Sequence, residues 1–238
     1  MLFSITAYSN TKSICGDDDD RTLSNNRKVA RIQRSKGNVG CTFTLIGRSC
    51  GISAGHCERY FKEAHFNVPL SNINGRMIGS NPEDIYSVTS GSVTLSNRGS
   101  GNDWAVMRLN KNQFTNVWPG DEQGYYSISA EKPLIGSDIS IAGYGQDKEK
   151  EKNHAQQVHE GQVLSTDVPS ITHNIDTRSG NSGSSIISLI NETIVGVHTH
   201  GGCSNAEGLG YNSGTMIAGN HSFNEAIKDC LSWERNNL

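Results

Sequence analysis

Cys41-Thr42-Phe43-Thr44-Leu45-Ile46-Gly47-Arg48-Ser49-Cys50-Gly51-Ile52-Ser53-Ala54-Gly55-His56-Cys57 contains two short apolar runs, Cys41–Ile46 and Cys50–Ala54, on either side of a Gly-Arg-Ser turn. Runs this short, bounded by turn formers, read as the two strands of a hairpin. The second strand leads straight to a histidine. The same texture continues along the chain, with candidate strands at Ser87–Leu95, Trp104–Leu109, Ile139–Tyr144, Gly161–Ser165, Ile171–Ile175, Ser184–Leu189, Thr193–Thr199 and Thr215–Ala218. Asn97–Asn102 and Lys148–Asn153 read as exposed loops between them. Short strands separated by Gly, Asn, Ser and Asp clusters predict an all-β domain of the sandwich or barrel kind.

One helix is expected, at the end of the chain, over about 222–232. Ser222 and Glu225 have the spacing of a capping box, and Phe223, Ala226, Ile227, Cys230 and Leu231 follow on one face. At 238 residues the chain is long enough for one large domain or two packed sub-domains. No internal repeat or linker divides it. A net charge of -3 is too small to draw in nucleic acid or an anionic membrane, so neither is expected as a partner. The acidic run Asp17–Asp20 has the plain reading of a solvated turn. Six cysteines, none in a CxxC motif, read as three disulfides and an oxidising compartment. No apolar stretch approaches a membrane span, and the opening residues are too short and too weakly apolar for a complete signal peptide.

Three segments carry chemistry. Ser53-Ala54-Gly55-His56-Cys57 ends a strand on a histidine. Gly101-Asn102-Asp103 leads an aspartate into the apolar strand from Trp104. Gly180-Asn181-Ser182-Gly183-Ser184 sets a serine in a glycine-rich turn before Ile186-Ile187. A serine hydroxyl needs a base to become a nucleophile, and imidazole titrates near neutrality. A buried carboxylate fixes the imidazole tautomer and stabilises the imidazolium. The glycines let the backbone approach a substrate, and the amides of Gly180 and Ser182 are candidates for an oxyanion hole. Each piece alone has a structural explanation; the order His56, Asp103, Ser182, each in its own context, points to a catalytic triad.

With those segments the chain resembles the chymotrypsin-fold serine peptidases, and among them the bacterial-type glutamyl endopeptidases. Cys41–Gly47 with Ser53–Cys57 is similar to the strand–turn–histidine block. Gly16-Asp17-Asp18-Asp19-Asp20-Arg21 resembles the acidic segment near the mature N-terminus of that subfamily. Ile141–Tyr144, Asp176-Thr177, Gly180–Ser184 and Gly196–Thr199 match in order. The resemblance runs from about residue 13 into the terminal helix. It implies two six-stranded antiparallel β-barrels, at about 22–115 and 128–220, with the site in the cleft between them. Residues 1–12 would then be an extension or propeptide remnant preceding a peptidase domain over 13–238. It further implies a secreted, monomeric endopeptidase acting on proteins or peptides through an acyl-enzyme, made as a zymogen and needing no cofactor. Asn181 departs from the aspartate that trypsin-like members pair with a freed N-terminal ammonium, so that switch is not expected here.

The resemblance also assigns a specificity pocket of Asp176, Thr177, Ser179 and His198. Thr177 and His198 match the pair that binds a substrate carboxylate in glutamyl endopeptidases, the imidazole supplying positive character. Asp176, at the pocket base, would instead select Arg or Lys in a trypsin-like enzyme. A third reading is an inactive homologue serving as a binding module. His198, His200 and Cys203 have a loose metal-ligand spacing, but no fourth ligand stands out and no metal is expected. His65, His154, His159, His173 and His221 have no interpretable context. The family pairs Cys41 with Cys57. The other four cysteines allow three pairings, of which Cys203–Cys230 with Cys15–Cys50 would tie the pocket wall to the helix. Asn191-Glu192-Thr193 and Asn220-His221-Ser222 are glycosylation sequons, meaningful only in a eukaryotic secretory route.

Overall fold

The computed structural model describes residues 13–35, 38–203 and 210–238. The extension expected at 1–12 lies outside them. Among the described residues, fourteen strands form two antiparallel sheets. The first contains β2 (Val29–Ser35), β3 (Asn38–Leu45), β4 (Cys50–Ser53), β5 (Glu63–His65), β6 (Ile85–Ser87), β7 (Thr94–Asn97) and β8 (Asp103–Arg108), in the order β6-β5-β2-β3-β4-β8-β7. The second contains β1 (Thr22–Leu23), β9 (Asp138–Gly143), β10 (Gln157–Ser165), β11 (Ser170–His173), β12 (Ser185–Ser188), β13 (Thr193–His200) and β14 (Asn212–Met216). Here β9 pairs with both β10 and β12, so six strands close into a barrel and β1 hangs on β10.

The N-terminal sheet departs from the closed six-stranded barrel implied by the resemblance. It has seven strands and curls on itself, and its two sides meet at one bridge, Val88–Leu109. The expected strand Ser87–Leu95 is two strands. Between them the chain turns at Thr89–Ser92, where the amide of Ser92 donates to Thr89 O, so β7 leaves β6 to pair with β8. The strand β2 escaped the apolar count because Arg31 and Gln33 interrupt it; both are nonetheless buried.

Phe43, Leu45, Ile52 and Met107 of the first sheet share one core with Ile194 and Val197 of the second and with Phe223 and Ile227 of the terminal helix. The C-terminal barrel adds its own core of Ile139, Ile141, Ile171, Ile186 and Met216. Alternation along β3 turns the other face outward to the second barrel: Thr42 Oγ1 donates to Gly180 O (2.9 Å) and accepts from the amide of Tyr144 (3.1 Å). The two halves are thus keyed together at β3, the first strand of the hairpin that leads to His56.

A short helix, α1 (Pro119–Gln123), lies in the connection between the two sheets, and the terminal helix α2 (His221–Asn237) is capped differently from the expectation. Asn220 is the cap, its Oδ1 accepting from the amide of Phe223 (3.0 Å) while its Nδ2 donates to Gly101 O (2.8 Å). Ser222 falls inside the first turn, and Glu225 pairs with Lys228 on the surface. Asn220 won over Ser222 because it satisfies the helix start and the loop before Asp103 together. Both ends of its amide are consumed and it is buried, so the second sequon is closed in the folded chain, whereas Asn191 is exposed.

Two of the expected disulfides are corrected. Cys41 is joined to Cys57, but Cys15 is joined to Cys203 and Cys50 to Cys230. The helix docks on the β3–β4 turn rather than on the 203 loop, because Glu234 reaches that turn. Its carboxylate accepts from the amides of Arg48 (3.0 Å), Ser49 and Cys50 (2.6 Å) and from Ser49 Oγ (3.0 Å). Glu234→Ala should therefore cost about 3–5 kcal/mol, since buried donors would be stranded by loss of one charged acceptor. At roughly 2–4 °C per kcal/mol for a domain of this size, thermal unfolding should fall by about 6–20 °C. A fall under about 2 °C would show that water replaces the carboxylate without cost.

Candidate active site

His56 follows β4 in a 3-10 turn over Gly55–Tyr60, and Asp103 opens β8, the neighbour of β4 in the sheet. Strand pairing therefore places the two groups together although 47 residues separate them. His56 Nδ1 lies 2.6 Å from Asp103 Oδ2, and the amide of His56 donates to Asp103 Oδ1 (3.0 Å). The aspartate side chain is 1 % exposed and the histidine 35 %. A buried carboxylate bonded at Nδ1 holds the proton there and leaves Nε2 bare toward the cleft. Asp103 is clamped from the second barrel, because Thr215 Oγ1 accepts its amide (3.1 Å) and donates to its carbonyl (2.8 Å).

Ser182 sits on the turn before β12. Its carbonyl accepts from the amide of Thr42 (2.8 Å), and the next amide, Gly183, donates to His198 O (2.9 Å). Gly183 has φ +89°, and a Cβ there would run into Thr42 O and Ser53 Oγ, so only glycine lets the turn lie this close to the first barrel. His56, Ser182, Ser179 and Gly180 line one cleft of about 300 Å³. Gln146 and His154 line it too.

The Ser179–Gly180 peptide is oriented by Gln146, whose amide donates to Ser179 O (2.8 Å). In a trans peptide the N–H opposes the carbonyl, so the amide of Gly180 faces away from Gln146. The amide of Asn181 is spent on Arg178 O (2.9 Å), whereas those of Gly180 and Ser182 have no acceptor among the described residues. Two uncommitted donors flanking a serine are suited to a developing oxyanion.

The acidic N-terminal segment is more than a solvated turn. Asp19 takes Arg21 through two bonds (2.8 and 2.9 Å) and Arg178 through a third (2.9 Å). Burial pushes the Asp19 carboxyl up, but the bonds from the two guanidinium groups outweigh it and hold it well below the usual range. The buried Arg21 also donates to Gln146 O (2.9 Å) and reaches Asn181 Oδ1 (3.5 Å). Asn181 Oδ1 accepts the amide of Arg178 (3.1 Å), so the Ser182 turn is braced by neutral and Arg contacts where trypsin-like enzymes use an aspartate.

Asp176 does not offer a charge to a substrate cation. Its side chain is fully buried, with Oδ1 accepting from the amide of Cys15 (2.6 Å) and Oδ2 from that of Asp20 (2.9 Å). His159 Nδ1 approaches Oδ2 at 3.5 Å but accepts Asp176's own amide at 2.9 Å. That nitrogen is therefore unprotonated, and the approach is no ion pair. Thr177 lies beside it, paired with Ser13, whose carbonyl accepts Thr177's amide (3.0 Å).

His198 is likewise altered from the expectation. It is buried against His173, with His173 Nε2 at 3.2 Å from His198 Nδ1. Desolvation, and then the neighbouring His173, push His198 well below the usual imidazole range; burial takes His173 down to about 3. Both rings are neutral at physiological pH, so the positive character expected of His198 is absent. Their tautomers follow from the hydrogen bonds. The amide of Ile175 donates to His173 Nδ1 (3.2 Å), so His173 carries its proton on Nε2 and donates it to His198 Nδ1. His198 must then present Nε2–H.

His173 had no readable sequence context, nor did Asn212, which gathers Ser13 O (2.8 Å), Ile175 O (2.7 Å) and Thr177 Oγ1 (3.2 Å) around its Nδ2. The loose His198–His200–Cys203 spacing is accounted for differently: Cys203 is bonded to Cys15, and His200 Nδ1 lies 2.8 Å from Thr199 Oγ1.

The sequence pattern of the trypsin family matches residues 15–217, which takes in the sheets and the whole site. The chain belongs to the trypsin family. Among solved structures it is similar to a Glu endopeptidase in complex with MPD, at 26% identity and a TM-score of 0.69, covering 91% of this chain and 99% of that one. A mutant of human heparin binding protein (13% identity, TM-score 0.63, covering 92% and 97%) shares the fold. So does the protease Anisep from Arthrobacter nicotinovorans (13%, 0.64, covering 87% and 99%). No curated protein matches by sequence. The trypsin-family chain therefore has a chymotrypsin-like serine protease fold, with three disulfides and, among the described residues, no helix long and apolar enough to cross a membrane.

Proposed function

We propose that this chain is a secreted serine endopeptidase that cuts peptide bonds after glutamate. Ser182 Oγ attacks the scissile carbonyl while His56 Nε2 takes its proton, and Asp103 stabilises the resulting imidazolium. The oxyanion is held by the amides of Gly180 and Ser182. His56 then returns the proton to the departing amine, leaving an acyl-enzyme that water hydrolyses by the same steps in reverse.

The observation that carries the specificity is the hydrogen-bond chain from the Ile175 amide through His173 to His198, which leaves His198 Nε2–H as a fixed neutral donor. A donor suits a carboxylate and repels nothing neutral. The sealing of Asp176 by the amides of Cys15 and Asp20 removes the anion that an Arg or Lys side chain would need. The similarity to a Glu endopeptidase supports the same reading. Because His198 is neutral, the positive charge opposite the substrate carboxylate falls to a processed N-terminal ammonium near Ser13, beside Thr177.

A defined peptide mixture should yield cuts dominated by Glu, and a profile dominated by Arg and Lys would overturn this reading. His198→Ala should lower kcat/KM on Glu substrates by about 2–3 kcal/mol, roughly 30- to 150-fold, with little change on neutral ones. The pH dependence separates the two cationic candidates. The ratio of kcat/KM for Glu over Gln substrates should hold through about pH 6–7 and fall near pH 8 as an α-amino group deprotonates. A fall centred near pH 6.5 would return the charge to His198.

A further inference from the structure

The catalytic cleft extends beyond the residues that do the chemistry. Gly40, Cys41, Arg59 and Tyr60 line it together with His56, Gly180 and Ser182, whereas Thr177 and His198 do not. The scissile bond decides which half of a substrate meets which group. Its carbonyl oxygen lies on the amides of Gly180 and Ser182, and its acyl side chain points to Thr177 and His198. The amine must then leave from the other side of the carbonyl carbon. The leaving half of the substrate is thus left the cleft that Arg59 and Tyr60 line.

Arg59 is placed there by the turn that carries the base. The 3-10 turn spans Gly55–Tyr60, and side chains three apart in such a turn project in the same direction, so Arg59 follows His56. Its guanidinium lies over the Tyr60 ring, with Cζ 4.7 Å from the centroid. The ring is seated in turn on Gly40, where a Cβ would overlap it. The cation therefore rests on a fixed platform.

Among the described residues no carboxylate lies within ion-pair distance of Arg59, and that includes Glu58 beside it. Glu63, further along the segment, faces His65 Nε2 instead (3.3 Å). Arg59 is exposed in the cleft and keeps its planar fork of donors for a ligand. A carboxylate arriving in the leaving half gains a charged hydrogen bond there, and an ammonium is repelled.

We propose that Arg59 makes this peptidase select an acidic side chain within two residues after the cut bond. This selection rests on the acyl-enzyme chemistry proposed above, but not on glutamate at the acyl position.

Fluorogenic peptides with one acyl half ending in Glu, and with Asp, Asn or Lys at the first or the second position after the bond, test this, with products identified by mass. At one of those positions kcat/KM for Asp should exceed that for Asn by about fivefold in low salt, the upper range for an exposed charge pair, and the excess should shrink as salt is raised. Arg59→Gln should bring the ratio to about one, and Arg59→Glu should reverse it so that Lys is preferred. Each ratio is taken within one variant, so a general loss of activity from disturbing the His56 turn cancels. The acyl preference is measured separately, on single-residue anilides that have no leaving peptide. Should these favour a residue other than Glu, the glutamyl reading fails, and the leaving-half series built on that residue still decides the role of Arg59. Equal rates with Asp and Asn at both positions, or an Asp preference that survives Arg59→Gln, overturn the proposal.

Discussion

Ser182→Ala is expected to abolish peptide hydrolysis, lowering kcat by about 10⁶-fold while leaving thermal unfolding within about 2 °C of the parent chain. The size follows from what remains. The amides of Gly180 and Ser182 and the substrate pocket survive the substitution, but His56 has no hydroxyl left to activate. The turn itself is held by backbone bonds, from Thr42 to Ser182 O and from Gly183 to His198 O, none of which uses the serine side chain. Steady-state hydrolysis of a Glu-containing peptide, alongside labelling by a covalent serine-hydrolase probe, checks both parts. Activity within about tenfold of the parent, or probe labelling that persists, would move the nucleophile elsewhere.

Asp103→Asn should lower kcat by about 10⁴-fold with an equally intact fold, and here the reason lies in the tautomer. Asp103 Oδ1 accepts the backbone amide of His56, so an asparagine keeps its oxygen there and turns its NH2 toward Nδ1. Nδ1 must then accept, the ring proton moves to Nε2, and the base facing Ser182 is lost. Thr215 continues to grip the Asp103 backbone from β14, which is why stability should not follow activity down. A loss below about tenfold would show that His56 is oriented by something other than this carboxylate. Serine-probe labelling should slow in parallel with hydrolysis, a readout that a change in substrate binding alone would leave unmoved.

Some of this molecule is decided by patterns a few residues long. The apolar runs Cys41–Ile46 and Cys50–Ala54 become β3 and β4 because a short stretch with turn formers at both ends has no other stable use. The segments around His56, Asp103 and Ser182 are legible for the same reason, since each is a strand end or glycine turn whose chemistry sits in adjacent residues. The terminal helix is legible from the spacing of Phe223, Ala226, Ile227 and Cys230, all of which face the core. Its cap was not, because Asn220 and Ser222 are both good caps, and the choice between them is made by Gly101, far away in the chain.

The remaining features are polar groups whose partners lie from tens to more than a hundred residues off, and such pairs leave no local period to read. Asp176 looks like a specificity charge until the amides of Cys15 and Asp20 cover it. His198 looks like a cation until burial beside His173 neutralises it. Arg31 interrupts a strand in the sequence and lies inside a sheet in the fold. The pairing of Cys50 with Cys230 depends on where Glu234 brings the helix, three turn amides against one carboxylate. Residue type and local order determined which chemistry is available in this protein; burial and long-range hydrogen bonding decided the charge, the tautomer and the accessibility of each group, because those depend on the water and the partners that only tertiary packing removes or supplies.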